Sequence, residues 1–201
     1  MMPAPTPRMT VEAFATWTSR PENSERRFEL DQGEVIEVPL QGEVHGFVCW
    51  RVIMALSEYV TRRRSGHLLT NNCGLIVTRD PDTVRGPDVM LFLSDRSLDQ
   101  AHWGYVERIP NLVVEVFSPS DQPGKLNRGI DQYHRRGVPR VWVVYPEERM
   151  VNVCRPNEFP KVLDESDELT GNGVLPDFSC RVLDLFTLPG QPPPPATTTA
   201  G

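Results

Sequence analysis

What this sequence lacks narrows its identity before any motif is found. Nowhere do about 18 consecutive apolar residues occur, so no membrane-spanning helix is predicted. Its start has no positively charged segment followed by an apolar stretch and a small-residue cleavage site, so no export signal is read there. A cytoplasmic protein without a membrane partner is the expectation. Cysteine is scarce: Cys49, Cys73, Cys154 and Cys180 form no CxxC pair and have no histidine at zinc-finger spacing, which predicts buried free thiols. Net positive charge is missing too. With 21 basic and 27 acidic side chains the chain carries -6, so a polyanion must meet a local patch or a bound metal ion. GxGxxG, GxxxxGK[ST], HExxH and GxSxG are all absent, and Ser118 and Ser120 lie in an SPS turn without a nucleophile elbow.

What is present is globular. Hydrophobic residues make up 39% and charged ones 24% of 201 residues, the composition and length of one domain with a sizeable core. Of the 20 prolines only 12 fall between residues 8 and 188, so the excess belongs to the ends. The closing run GQPPPPATTTAG has no apolar periodicity and reads as a disordered or polyproline tail. Between the ends, Thr10 to Trp17 begins with a hydroxyl cap and reads as a short amphipathic helix. Arg27–Leu30 and Val35–Val38 flank a glycine-containing turn and predict a hairpin. The apolar set Val44, Phe47, Val48, Val52, Ala55, Leu56, Tyr59 and Val60 keeps helical spacing up to Arg62–Arg64 and Gly66. Strands are expected at Leu68–Thr70, Gly74–Thr78 and Val89–Leu93, with the run Arg79–Pro87 before the last taken as turns. Leu112–Phe117 reads as a central strand buried on both faces, Leu126–Arg136 as a helix closed by Gly137, and Arg140–Tyr145 with Met150–Arg155 as a further hairpin. Strand, helix, strand from 112 to 145 is one crossover unit, so the fold class is α/β (α+β) with a mixed sheet and few helices.

One residue breaks the central strand. Glu115 sits between apolar neighbours, and a carboxylate there carries a desolvation penalty of several kcal/mol unless a cation or hydrogen-bond donors offset it. Asp88 directly precedes the strand run Val89–Leu93, and Glu29 lies between Phe28 and Leu30. Three carboxylates on or beside strands make the oxygen-rich environment that Mg²⁺ prefers, where a bound ion polarises a phosphoryl group and supplies hydroxide. The plainer readings are a structural ion pair for Glu115 and a solvent-facing Glu29.

The ordered set Phe28–Glu37, His45, Arg85-Gly-Pro-Asp-Val89, Pro110–Asp121, Tyr133, Gly137-Val-Pro139, Val141–Pro146, Leu175-Pro-Asp-Phe178 and Leu183-Asp-Leu-Phe186 resembles the Uma2 family (DUF820) over about residues 9 to 187. That family is placed among PD-(D/E)xK restriction-endonuclease-like proteins, so the resemblance implies a single domain over 9–187 with a mixed central sheet flanked by helices. Residues 1–8 are then a flexible N-terminus and 188–201 a disordered Pro/Thr-rich tail. It also implies an endonuclease hydrolysing DNA phosphodiester bonds with Mg²⁺, or Mn²⁺ in its place. Asp88 and Glu115 become metal ligands and Glu29 an accessory acid. The sequence departs from the pattern where relatives carry a lysine, four residues before Tyr133: that place holds Gly129, and Phe117 holds the ExK lysine place. Lys125, one helical turn earlier on the same face, is the candidate cation in its stead. Tyr145 is a second departure, standing where relatives have aspartate. A catalytically degenerate fold that only binds nucleic acid or a protein is the alternative that Gly129 and Phe117 raise. Cutting two strands suits a homodimer, although no residue here signals one. Lys125, Arg128, His134, Arg135, Arg136 and Arg140 form either a polyanion-facing patch or a solvated helix face. His45 reads as structural or catalytic.

Overall fold

Apolar strands that are buried on both faces need cover on both sides, and the chain supplies it with two long helices. The computed structural model describes residues 8–70, 73–119 and 121–190. Their elements run α1 (Val11–Thr18), β1 (Phe28–Asp31), β2 (Glu34–Glu37), α2 (Glu43–Arg63), β3 (His67–Thr70), β4 (Leu75–Thr78), β5 (Thr83–Arg85), β6 (Val89–Phe92), β7 (Leu112–Val116), α3 (Pro123–Arg136), β8 (Val141–Tyr145), β9 (Met150–Cys154), β10 (Lys161–Leu163), β11 (Glu168–Thr170) and β12 (Ser179–Arg181). Six strands form the main sheet in the order β10-β9-β8-β7-β6-β3. Only β7 and β8 run parallel, joined across α3, and every other pair in that sheet is antiparallel. A second sheet has the order β2-β1-β5-β4, and β11 pairs with β12.

The alternation along β6, β7 and β8 decides which helix each residue meets. Val89, Leu91, Leu112, Val114, Trp142 and Val144 pack under Val48, Val52, Leu56 and Tyr59 of α2. Met90, Val113, Val141 and Val143 face Leu126, Ile130 and Tyr133 of α3. The smaller sheet carries its own cluster, in which Val11 and Phe14 of α1 cover Leu30, Ile76 and Val84.

The structure departs from the sequence reading in instructive places. Strand β5 lies inside Arg79–Pro87, expected to be turns only; its residues Thr83, Val84 and Arg85 are all buried between β1 and β4. Helix α3 begins at Pro123, three residues earlier than the apolar spacing indicates, because proline suits the first helical position, where its missing N–H is not needed. Gly137 closes it with φ 104°, the left-handed cap expected of it. All four cysteines are free, but only Cys154 is fully buried. The expected flexible residues 1–8 and the Pro/Thr-rich tail lie largely outside the described residues, as does Ser120 of the SPS turn. No helix among the described residues is long and apolar enough to cross a membrane.

Candidate active site

Strand register brings two carboxylates face to face. Val89 of β6 pairs with Val114 of β7, so in an antiparallel ladder Asp88 stands opposite Glu115. Glu115 lies on the face covered by α3, and like charges on facing cross-strand residues repel. Glu115 Oε1 accepts a 2.6 Å hydrogen bond from the Tyr133 hydroxyl of α3, and Asp88 Oδ2 accepts one of 2.8 Å from the Val116 N–H. Burial pushes the Glu115 carboxyl well above the usual carboxylate range, and the charges of Asp88 and Glu29 add to this; the Tyr133 hydroxyl and the Arg85 guanidinium act the other way. Neither Asp88 nor Glu115 has a lysine or arginine ion-pair partner among the described residues; His45 Nε2 lies 3.3 Å from Asp88 Oδ2.

Glu29 is held differently. Leu30 pairs with Val84, which places Glu29 opposite Arg85. Arg85 is only 6% exposed and directs Nη1 to Glu29 Oε2 (2.8 Å), Nη2 to Asp31 Oδ2 (3.0 Å) and Nε to Gln132 Oε1 (2.8 Å). Glu29 Oε1 accepts the Gly86 N–H at 2.8 Å, so both its oxygens are engaged. Asp31 also accepts from Gln132 Nε2 (2.8 Å) and Arg128 Nη1 (3.3 Å). Burial alone would raise the Asp31 carboxyl, but Gln132, Arg85 and Arg128 outweigh it and hold the group below its ordinary value. One buried guanidinium therefore ties β1, β5 and α3 together beside the carboxylate pair.

Glu29, Asp88 and Glu115 line one cavity of about 190 Å³ with Lys125, Gly129 and Tyr133. The four expected site residues are thus brought together. Lys125 is exposed, reaches the cavity from the first turn of α3 and makes no ion pair among the described residues. Gly129 lies buried against the cavity, and a Cβ built there meets nothing within 4 Å. Arg27, which the sequence reading placed only in a strand, lines this cavity and an adjoining one of about 340 Å³. It too has no ion-pair partner among the described residues, so it is a second cation available to an anionic ligand. No sequence signal separates Arg27 from the ion-paired Arg26 beside it, since only the hairpin's placement against Asp88 does so.

Of the basic residues on and after α3, Arg136 Nη2 donates to the Glu107 carbonyl and Arg140 is 5% exposed, whereas Arg128 pairs with Asp31 yet stays largely exposed, as does Arg135. On the other side of the pair, Cys49 Sγ lies 3.5 Å from His45 Nδ1. Cys49, His45 and Asp88 have the connectivity of an acyl-transfer triad, yet burial and the charges of Asp88 and Glu115 push the thiol well above its ordinary value. A nucleophile needs the opposite shift.

Comparison with known proteins agrees with this architecture. Residues 11–185 match the Uma2 family, described as "Putative restriction endonuclease". No curated protein matches. Among solved structures, a "putative nuclease belonging to DUF820" from Anabaena variabilis is similar at TM-score 0.75 and 19% identity, over 89% of this chain and 97% of that chain. At that identity the likeness is one of fold, the α+β arrangement described above. With the family match running from α1 to the residues beyond β12, this chain belongs to the Uma2 family.

Proposed function

We propose that the protein is a Mg²⁺-dependent endonuclease that hydrolyses DNA phosphodiester bonds, with Asp88 and Glu115 holding the ion. The observation that carries this reading is the register that sets Asp88 opposite Glu115 without an arginine or lysine between them. Two facing carboxylates offer hard oxygen donors, so the donor set fits Mg²⁺, or Mn²⁺, better than a softer ion. When bound, such an ion polarises the phosphoryl group and lowers the pKa of an attacking water. The chain's own residues supply the rest. Tyr133 fixes the Glu115 rotamer through Oε1, and the Val116 N–H fixes Asp88. Glu29, clamped by Arg85 and Gly86, is the accessory carboxylate at the cavity wall. Lys125 and Arg27 line the same cavity, where a cation stabilises charge developing on a phosphate. Purified protein should cleave DNA with Mg²⁺ or Mn²⁺, and Asp88→Ala should abolish the cleavage. Cleavage that survives Asp88→Ala counts against the assignment.

The second reading, a degenerate nuclease fold that only binds nucleic acid or a protein partner, is favoured by one observation: the lysine place on α3 is Gly129, with empty space where the side chain would stand. Absence of cleavage together with retained DNA binding would select it.

A further inference from the structure

We propose that His45, Cys49 and Asp88 form a binding site for a soft divalent cation, Zn²⁺ above all, that shares Asp88 with the carboxylate pair. Cys49 follows His45 by four residues on α2, so both side chains rise from one helix face. Cys49 Sγ lies 3.5 Å from His45 Nδ1, and His45 Nε2 lies 3.3 Å from Asp88 Oδ2. One ligand atom from each of the three residues falls within 4.8 Å of the others. Ligand atoms around tetrahedral zinc are about 3.3 to 3.8 Å apart, given metal–ligand distances of about 2.0 to 2.3 Å, so the side chains close by about 1 Å to bind. A thiolate, an imidazole and a carboxylate with a fourth position left open is a zinc donor set; Mg²⁺ takes oxygens. His45 and Asp88 also line the carboxylate cavity. The chemistry balances simply: the Cys49 S–H proton leaves to solvent as the sulfur–metal bond forms, and apparent affinity therefore rises with pH. Because Asp88 cannot serve both ions fully, Zn²⁺ antagonises Mg²⁺. That consequence rests on the proposed function, whereas the binding itself does not.

Co²⁺ is the probe. Titrated into the metal-free full chain, it should produce a thiolate-to-cobalt charge-transfer band in the near ultraviolet that Zn²⁺ removes. Cys49→Ser should lose the band, while the variant carrying Cys73→Ala, Cys154→Ala and Cys180→Ala should keep it, with circular dichroism reporting the fold of each. Where Cys49→Ser fails to fold, His45→Gln should show the same loss. No band in the native chain, or a band that persists in Cys49→Ser, overturns the site. In Mg²⁺-supported cleavage, Zn²⁺ should inhibit the native chain at least about tenfold more strongly than Cys49→Ser. Equal inhibition overturns the sharing of Asp88. A chain that gives the band but cleaves no DNA keeps the soft-metal site and loses the nuclease reading.

Discussion

Glu115 ionises against its surroundings, because burial and the facing Asp88 both favour its neutral form. In metal-free protein the unfolded chain gives up this proton near the ordinary glutamate value of about 4.3, while the folded chain retains it to higher pH. Stability therefore falls as pH rises between those two points and levels off above Glu115's own value. Asp31 works in the opposite sense: its depressed carboxyl contributes stability above about pH 3.9 that is lost as pH falls through its folded value. Replacing Glu115 by Gln keeps an acceptor for the Tyr133 hydroxyl and removes the charge. Thermal unfolding of metal-free Glu115→Gln should lose the decline with rising pH and give a higher Tm than the native chain at neutral pH. Arg85 is the converse case, a buried cation whose removal leaves Glu29 and Asp31 facing each other's charge. Arg85→Met should cost about 3–5 kcal/mol in denaturant unfolding, the loss expected when one partner leaves a buried ion pair.

Helix α3 is the element on which the chemistry turns. It covers one face of the main sheet with Leu126, Ile130 and Tyr133, and delivers Tyr133 to Glu115 and Gln132 to Asp31. Its interior glycine weakens it: alanine is about 1 kcal/mol better than glycine in a helix, and the space beside Gly129 is empty. Gly129→Ala should raise unfolding stability by about 1 kcal/mol. Gly129→Lys should also fold, and should create or raise Mg²⁺-dependent cleavage by adding the amine one turn closer to Glu115's partner Tyr133 than Lys125 lies. A folded Gly129→Lys protein that is as inactive as its parent supports the binding-only reading. The C-terminal end of α3 and its Gly137 cap were legible because apolar spacing and a terminal glycine act locally, whereas its start at Pro123 lies three residues before the first apolar position of the spacing. Strand β5 was not, since three residues between turn signals have no periodicity of their own and become a strand only by pairing with β1 and β4.

For the whole molecule, the charge of -6 still argues against a broad nucleic-acid surface, and the structural contacts of Arg136 and Arg140 thin the basic set on and after α3. Locally, Lys125 and Arg27 line one cavity, where the proposed divalent ion would reverse the sign of its carboxylates. Binding to the folded state alone raises stability by mass action. Mg²⁺ should therefore raise the Tm of the native chain at pH above the Glu115 value, and the rise should vanish in Asp88→Ala.

The sequence by itself determined the layered α+β class, both long helices, the crossover between β7 and β8, and the suspicion attached to Glu115, because periodicity, caps and an acid among β-branched residues are local signals. It also named Asp88, Glu29 and Lys125 as neighbours, through ordered motifs. Only the tertiary structure decided that Asp88 stands opposite Glu115, that Arg85 clamps Glu29 and Asp31, that Arg27 has no ion-pair partner among the described residues, and that Cys49 and His45 reach Asp88. Register and helix docking set those relations, and both depend on contacts between residues far apart in the chain, which no short stretch of sequence encodes.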